Sequence, residues 1–374
     1  MAVVEEKKMS AVPASNDNAA FDLVGQVVAD GWKITQRLPR KNEPGGEHLT
    51  GGHFSIGYIA EKGSKKAFVK AIDVQGVIED RDSGLKLIPR LKRMTDSHSF
   101  ESTILDVCKK AKLDRVVEVI ASDEIEVPSS RHGIPVPYIM FELANGDIRK
   151  AIDASEKIDA AWKLRVLHNA AVGIQQLHRN NISHQDLKPS NVLLFGQDSA
   201  VAKIGDMGRA SRRGLAAEHD EYDVPGAVAY APPEQIFGVR PERWEDRREG
   251  CDIYHLGAMA AFLFTGVTLS ARLSQALPPE MLPHLWGGQS GCDYDMALPI
   301  LKRALAEFVA DSQSCFPVWI AEELSQIIMT ACEPDWRTRG DAKARQALGN
   351  KVGIDAYVSR FDRLAKAASV KTRS

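Results

Sequence analysis

The sequence predicts an α+β fold in two parts, strand-rich first and helix-rich second. Three observations carry that prediction. Runs of strand length and apolar or alternating character recur over residues 24–28, 32–34, 58–60, 67–72, 116–120 and 136–141. From Leu164 the pattern changes: Leu164, Leu167, Ala171, Ile174 and Leu177 recur at three- and four-residue spacing, the period of a helix with one buried face. Residues 257–267 are then apolar almost throughout, as in a helix buried on every side.

Composition narrows the class. A chain of 374 residues is long enough for two lobes or two domains. Its 48 Lys and Arg against 50 Asp and Glu leave a net charge of −2, which gives no support to nucleic-acid or membrane-surface binding through bulk charge. Five cysteines without paired spacing fit reduced thiols in a cytoplasmic protein better than a disulfide framework or a zinc site. The 257–267 run is too short to span a bilayer. Lys7-Lys8 leads into a polar segment, unlike a signal peptide.

Taken in order, residues 1–20 mix charge, Pro, Ser and Asn without periodicity and read as a disordered leader, or alternatively a partner-binding arm. Strand material opens at 24–28 and 32–34, and 38–46 form a polar turn segment. The stretch Thr50-Gly51-Gly52-His53-Phe54-Ser55-Ile56-Gly57 reads by itself as a glycine hairpin. In 67–72, alternation puts Phe68, Lys70 and Ile72 on one face. An ammonium on a buried face needs a countercharge. Glu101, Ile104, Leu105 and Cys108 fall at i, i+3, i+4 and i+7, so Glu101 rides the apolar stripe of a helix. A cation and a carboxylate that both point inward are most economically explained by each other. The charged connection 73–99 predicts an extra helix around 85–94 or a mobile flap. Residues 116–120 and 136–141 supply two more strands and lead into Glu142-Leu143-Ala144-Asn145-Gly146.

The periodic helix ends at Asn180-Asn181 and delivers Ile182-Ser183-His184-Gln185-Asp186-Leu187-Lys188-Pro189-Ser190-Asn191. Asp186 to Asn191 hold an acid, a cation and an amide. Residues 192–195 and 201–204 read as strands joined at Gly196-Gln197-Asp198, a hairpin that brings Asn191 and Asp206 to the same end. An amide and a carboxylate there suit Mg²⁺, which takes oxygen ligands. The first stretch is close to the H-R-D-L-x-x-x-N pattern of protein kinase catalytic loops, and Asp206-Met207-Gly208 is close to their D-F-G. On these residues the chain resembles the eukaryotic-type serine/threonine protein kinase family, over about residues 22–348.

That resemblance implies a two-lobed protein kinase fold: a small β-rich N-lobe over 21–141 with one key helix, a larger and mainly α-helical C-lobe over 142–348, and a C-terminal helix with a basic tail over 349–374. It implies ATP- and Mg²⁺-dependent transfer of the γ-phosphate to protein serine and threonine hydroxyls, with a protein substrate and room for a regulatory partner protein. Asp186 would serve the acceptor hydroxyl and Lys188 the transferring phosphoryl group, with Asn191 and Asp206 on the metal. Lys70 and Glu101 match the pair that holds the α- and β-phosphates. Phe141 would be the gatekeeper, Glu142 and Ala144 the hinge contacts to adenine, and Leu193 part of the pocket floor. The glycine-rich loop aligns in two registers, Thr50, Gly52 and Ser55 or Gly52, Phe54 and Gly57, which share Gly52.

Residues 226–234 resemble the family's G-T-x-x-Y-x-A-P-E, with Ala227 replacing the Thr that bridges the catalytic Asp and Lys. Glu234 is expected to pair with Arg337, and Asp252 to brace the catalytic-loop backbone. Gln185 stands where the family carries an Arg that binds activation-segment phosphate. Ser211 is the only Ser or Thr between Asp206 and Glu234, and the same segment already carries Glu218, Asp220, Glu221 and Asp223. Together these predict an enzyme that does not require activation-segment phosphorylation. Met207, flexible and apolar, replaces the D-F-G Phe. Residues 268–317 read as an enlarged insertion with a turn at Trp286-Gly287-Gly288, and 318–330 as a helix. Ile354, Tyr357, Val358, Phe361, Leu364 and Ala365 form a stripe expected to dock on the large lobe. Two other classes remain: a nucleotide-binding pseudokinase-like scaffold, favoured by the sparse glycine loop and Ala227, and a kinase for small molecules.

Overall fold

A computed structural model describes residues 18–40, 43, 55–80, 84–127, 133–154, 158–196, 199, 201–289, 291–346 and 352–371. The chain divides into two compact units, Met1–Leu91 with Ala121–Met140 and Lys92–Ile120 with Phe141–Ser374. The first is a β-sheet unit and the second larger and mainly helical, the α+β arrangement that the sequence predicts.

The first strands in the chain are β1 (Val27–Val28), β2 (Trp32–Arg37), β3 (Ser55–Lys62), β4 (Lys65–Ile72), β5 (Val119–Ile125) and β6 (Val136–Glu142). They form one sheet in the order β1-β2-β3-β4-β6-β5. In β3 every second residue (Ile56, Tyr58, Ala60) is buried, the two-residue period of a sheet with one face on the core. Asn18 to Ala20, expected in a disordered leader, belong to the fold. Asn18 accepts the Ala20 N–H and donates to Asp73 at 2.6 Å, and the Tyr58 hydroxyl donates to the Ala20 carbonyl at 2.6 Å. Residues 1–17 lie outside the described residues.

In β4 Phe68, Lys70 and Ile72 share one face as expected, Ile72 buried and the other two half-buried, while Ala67, Val69 and Ala71 on the opposite face are wholly buried. The small residues turn to the core because they bury no charge. The connection after β4 is different from either expectation. A short helix α1 (Val74–Glu79), capped by Asp73 on the Gly76 N–H at 2.7 Å, precedes one long helix α2 (Leu87–Lys110). Residues 87–94 are its first turns rather than an extra helix, and its buried residues are Glu101, Ile104, Leu105 and Cys108. The strand expected over 116–120 begins only at Val119. Val116 and Val117 are taken by another partner: the Val117 N–H donates to the Ile204 carbonyl at 2.9 Å, and the Ile204 N–H to the Arg115 carbonyl at 2.9 Å.

The second unit continues with β7 (Gly146–Asp147), α3 (Ile148–Ala154), α4 (Ala160–Arg179), β8 (Ile182–Ser183), β9 (Val192–Phe195), β10 (Val201–Ile204) and β11 (Ser211–Arg212). Then come α5 (Pro233–Ile236), α6 (Gly250–Thr265), α7 (Leu269–Ala276), α8 (Tyr294–Ser312), α9 (Ala321–Ala331) and α10 (Ile354–Lys371). α4 starts at an Asp159 cap on the Trp162 N–H and buries all five residues of the periodic stripe. α6 is the axis of the unit, with its first twelve residues buried. A Cβ on Gly257 would meet Ala331 Cβ and Cys332 Sγ at 2.6 Å, so α9 approaches α6 at a distance only glycine allows. α10 packs on α4, buries Tyr357, Phe361 and Leu364, and accepts Arg179 on Asp355 at 3.2 Å. The expected insertion folds as α7, α8 and the Trp286 turn, closed by Gly287 at φ +86°.

Glu234 does not pair with Arg337. It forms a bidentate ion pair with Arg339, 2.6 Å on each oxygen and nearly inaccessible to solvent. The turn at Asp335 accepts the Thr338 and Arg339 N–H groups, which carries the chain around so that Arg339 enters the core. Arg337 stays on the surface with Asp335 and Asp295. Breaking a buried pair strands a charge and costs about 3–5 kcal/mol, whereas an exposed pair contributes about 1 kcal/mol or less. Urea denaturation should therefore show Arg339→Ala strongly destabilised and Arg337→Ala close to wild type; the reverse order would contradict this pairing.

Candidate active site

The loop after α4 is braced from beneath. Asp252, in the first turn of α6 and without solvent exposure, accepts the His184 N–H at 2.9 Å and the Gln185 N–H at 2.8 Å. His178, at the end of α4, adds a third contact through Nε2 at 2.9 Å. Burial pushes the Asp252 carboxyl up, but the His178 hydrogen bond and the neighbouring N–H groups outweigh it and hold its pKa below the usual value. Two consecutive N–H groups on one carboxylate bend the backbone sharply, and Gln185 takes φ +61°. The His184 ring then ties the loop to the next strand, with Nε2 on the Gly205 carbonyl at 3.0 Å and Nδ1 accepting the Asp186 N–H at 3.2 Å.

This bend presents Asp186 to a compact polar cluster. Lys188 Nζ donates to Asp186 Oδ2 at 2.6 Å, and Asn191 Nδ2 donates to the same oxygen at 3.1 Å and to the Asp186 carbonyl at 2.8 Å. Asp186 Oδ1 accepts the Ala227 N–H at 2.8 Å. The position that lost its threonine hydroxyl thus reaches the acid through its main chain. Gly226 makes that approach possible. A Cβ there would come within 2.8 Å of Asp186 Oδ1 and closer still to the Gln185 carbonyl.

The hairpin β9–β10 pairs Val192 with Ile204, and the Gly205 N–H donates to the Asn191 carbonyl at 2.8 Å. Asn191 and Asp206 therefore leave the hairpin at the same end. Because the Asn191 amide nitrogen is spent on Asp186, its Oδ1 is the atom left to act as a metal ligand. An amide oxygen and a carboxylate together fit Mg²⁺. Asp206 lies in the left-handed region at φ +57°, and a Cβ on Gly208 would stand 3.3 Å from Asp206 Oδ1 and 3.8 Å from Glu101 Oε2. The Glu101 carboxylate is thus brought beside the Asp206-Met207-Gly208 segment.

Leu193 lies half-buried on β9, against the α-carbon of Gly205. The Glu142 N–H donates to the Glu118 carbonyl at 3.1 Å, and its carboxylate accepts the Glu118 N–H at 2.8 Å and Lys203 at 2.6 Å. Ala144 follows, half-buried, before the Asn145 N–H pairs with the Leu194 carbonyl at 2.8 Å. Lys70 belongs to the first unit, on the half-exposed face of β4. Gly52 lies outside the described residues.

The activation segment is held by a second network around Gln185. Gln185 Nε2 donates to Ser211 Oγ at 2.5 Å, and Ser211 Oγ donates to Asp220 Oδ1 at 2.5 Å. Arg248 Nη2 donates to that same Asp220 oxygen at 2.6 Å, while its Nη1 donates to Gln185 Oε1. Asp220 Oδ2 accepts the Ala217 N–H at 2.8 Å. Burial lowers the pKa of Arg248, opposed by the Asp220 charge. Gly226, His178 and Arg248 are the residues that sequence reasoning passed over. The family's glycine at the head of G-T-x-x-Y points to Gly226, whereas no local pattern marks His178 or Arg248.

Gly226→Ala should displace the Ala227 N–H from Asp186 and cost about 1–3 kcal/mol of overpacking strain, read by urea denaturation. A variant as stable as wild type would mean that the segment does not need this close approach.

Residues 85–339, more than half of the chain, match the family described as protein kinase domain. Among the curated proteins, the chain is 29% identical over 171 residues to the rat (Rattus norvegicus) serine/threonine-protein kinase DCLK1, covering 44% of this chain and 36% of that protein. It is 26% identical over 247 residues to the serine/threonine-protein kinase PknA of Corynebacterium glutamicum, covering 63% and 50%. It is 38% identical over 106 residues to human (Homo sapiens) receptor-interacting serine/threonine-protein kinase 4, covering 27% and 12%. The matches span half or less of each of these relatives. With the catalytic loop, the hairpin and the activation-segment anchor arranged as above, this chain belongs to the protein kinase domain family.

Proposed function

We propose that the protein is an ATP- and Mg²⁺-dependent serine/threonine protein kinase that acts on protein substrates in the cytoplasm. The observation that carries this reading is Asp186, set between Lys188, Asn191 and the Ala227 N–H beside the hairpin end that bears Asp206. Asp186 orients the acceptor hydroxyl and receives its proton, while Lys188 offsets charge on the phosphoryl group in transit. A Mg²⁺ ion, held by Asn191 Oδ1 and the Asp206 carboxylate, would supply neutralisation of the triphosphate charge. Lys70 and Glu101 act on the α- and β-phosphates, the Gly52 loop covers the phosphates, Glu142 and Ala144 offer main-chain groups to the adenine, and Leu193 supports its ring. Five free cysteines, three of them buried, accord with the cytoplasmic assignment.

The same reading holds that activation-segment phosphorylation is not required. Ser211 is fully buried and already hydrogen-bonded on both sides, so a kinase has no access to it without opening the segment.

Radiolabelled phosphate transfer from Mg-ATP to a generic protein substrate tests the assignment. Asp186→Asn should lower turnover by about 10²- to 10⁴-fold, and chelation of Mg²⁺ should abolish it. Mass spectrometry should place the label on serine or threonine. No incorporation by either protein would favour the scaffold reading, and equal incorporation by both would remove Asp186 from the reaction; label on a small molecule alone would favour the third class. Phosphatase-treated protein should keep its turnover, and loss of activity on that treatment would refute phosphorylation independence.

A further inference from the structure

Asp220 sits in a short turn, Glu218–Glu221, that reaches in two directions. Toward the catalytic loop, its carboxylate takes Arg248, Ser211 and the Ala217 N–H, and Gln185 shares both Ser211 and Arg248. Toward α2, Arg93 forms an ion pair with Glu218 at 3.0 Å, donates to the Tyr222 hydroxyl and lies over the Tyr222 ring. Phe100, one residue before Glu101, meets the His219 ring edge-on at 5.6 Å between centroids. His219 is itself pinned, with Nε2 on the Ala210 carbonyl at 2.7 Å. One turn therefore touches the helix that carries Glu101 and, through Ser211 and Arg248, reaches Gln185 in the loop that carries Asp186.

We propose that Asp220 and Arg248 form a permanent substitute for a phosphorylated residue and its arginine, and that this pair sets the turn which splints Glu101 against the catalytic loop. The proposal rests on the kinase reading and adds the identity of the acid and of the cation. Position 185 is a neutral glutamine, so the countercharge comes from Arg248, four residues before Asp252. Its guanidinium is almost wholly buried and spans Asp220 and Gln185 at once, the forked geometry that suits Arg for carboxylate and phosphate alike. Asp220 and Arg248 are positioning residues, acting through Glu101 and Asp186.

The test makes the protein depend on a phosphate. Asp220→Ser removes the fixed charge, and phosphoserine installed at position 220 during translation returns it. Unmodified Asp220→Ser should lose turnover by about 100-fold through misplacement of the catalytic groups. Binding of a nonhydrolysable ATP analogue should weaken far less, and phosphoserine at 220 should restore turnover to within about threefold of wild type. Wild-type turnover in unmodified Asp220→Ser, or no recovery with phosphoserine in a protein that melts like wild type, would overturn the proposal. Amide exchange over residues 93–104 supplies a readout independent of catalysis and should quicken in Asp220→Ser and slow again with phosphoserine. If the wild-type protein transferred no phosphate yet exchange followed this pattern, the splint would stand and the kinase reading would fall. Unchanged exchange would reject the splint. Should Asp220→Ser not fold, Arg93→Ala, on the α2 side of the contact with that turn, must raise exchange in 93–104, and its failure to do so would reject the splint as well.

Discussion

A single buried carboxylate braces the loop that carries Asp186. Asp252 binds two successive main-chain N–H groups, and the chain satisfies both only by placing Gln185 in the left-handed region. For a residue with a side chain that conformation costs about 1–2 kcal/mol, an amount offset by two hydrogen bonds to a charged acceptor. The consequence is directional. With residue 185 bent, residue 186 must face Lys188, Asn191 and the activation segment. Since Asp252 belongs to the most deeply buried helix of its unit, the bend is anchored to a close-packed core that deforms little.

The activation segment meets this loop at one point of very close approach. Gly226 lets the Ala227 N–H reach Asp186, and the direct Lys188–Asp186 contact spans the gap that a threonine hydroxyl would bridge. The loss of that hydroxyl, which in the sequence counts toward a scaffold, is met by a main-chain donor and an ion pair. The remaining sequence feature in favour of a scaffold is the sparse glycine loop, in which Gly52, common to both registers, lies outside the described residues.

Charge balance in the segment follows the same economy. Acids at Glu218, Asp220, Glu221 and Asp223 are paired with Arg93, Arg248 and Arg240, most of them near the surface and one, Arg248 with Asp220, largely buried. The deep pair, Arg248 with Asp220, has the smallest solvent screening of the group, so it is the one able to hold geometry. Burying it is tolerable because every oxygen of Asp220 and both terminal nitrogens of Arg248 have partners.

What could be read directly from the residues was whatever the chain repeats on its own scale. Period 3.6 marked Glu101, Ile104, Leu105 and Cys108 as the buried stripe of α2, and it marked the buried face of α4. Strand length and a glycine turn marked the β9–β10 hairpin, and with it the common end shared by Asn191 and Asp206. Motif spacing marked Asp186, Lys188 and Asp252. Other features depended on partners far away in the chain. Whether Arg337 or Arg339 meets Glu234 is decided by a turn at Asp335 and a pocket about a hundred residues distant, and the two arginines look alike locally. Val116 and Val117 have strand character either way, but Ile204 claims their main chain. That the face opposite Lys70 is the more deeply buried side of β4 follows from where the core lies, which alternation alone leaves open. The role of Arg248 was invisible for the same reason: an ion pair across a fold is a property of distances in space, and a sequence records only distances along the chain.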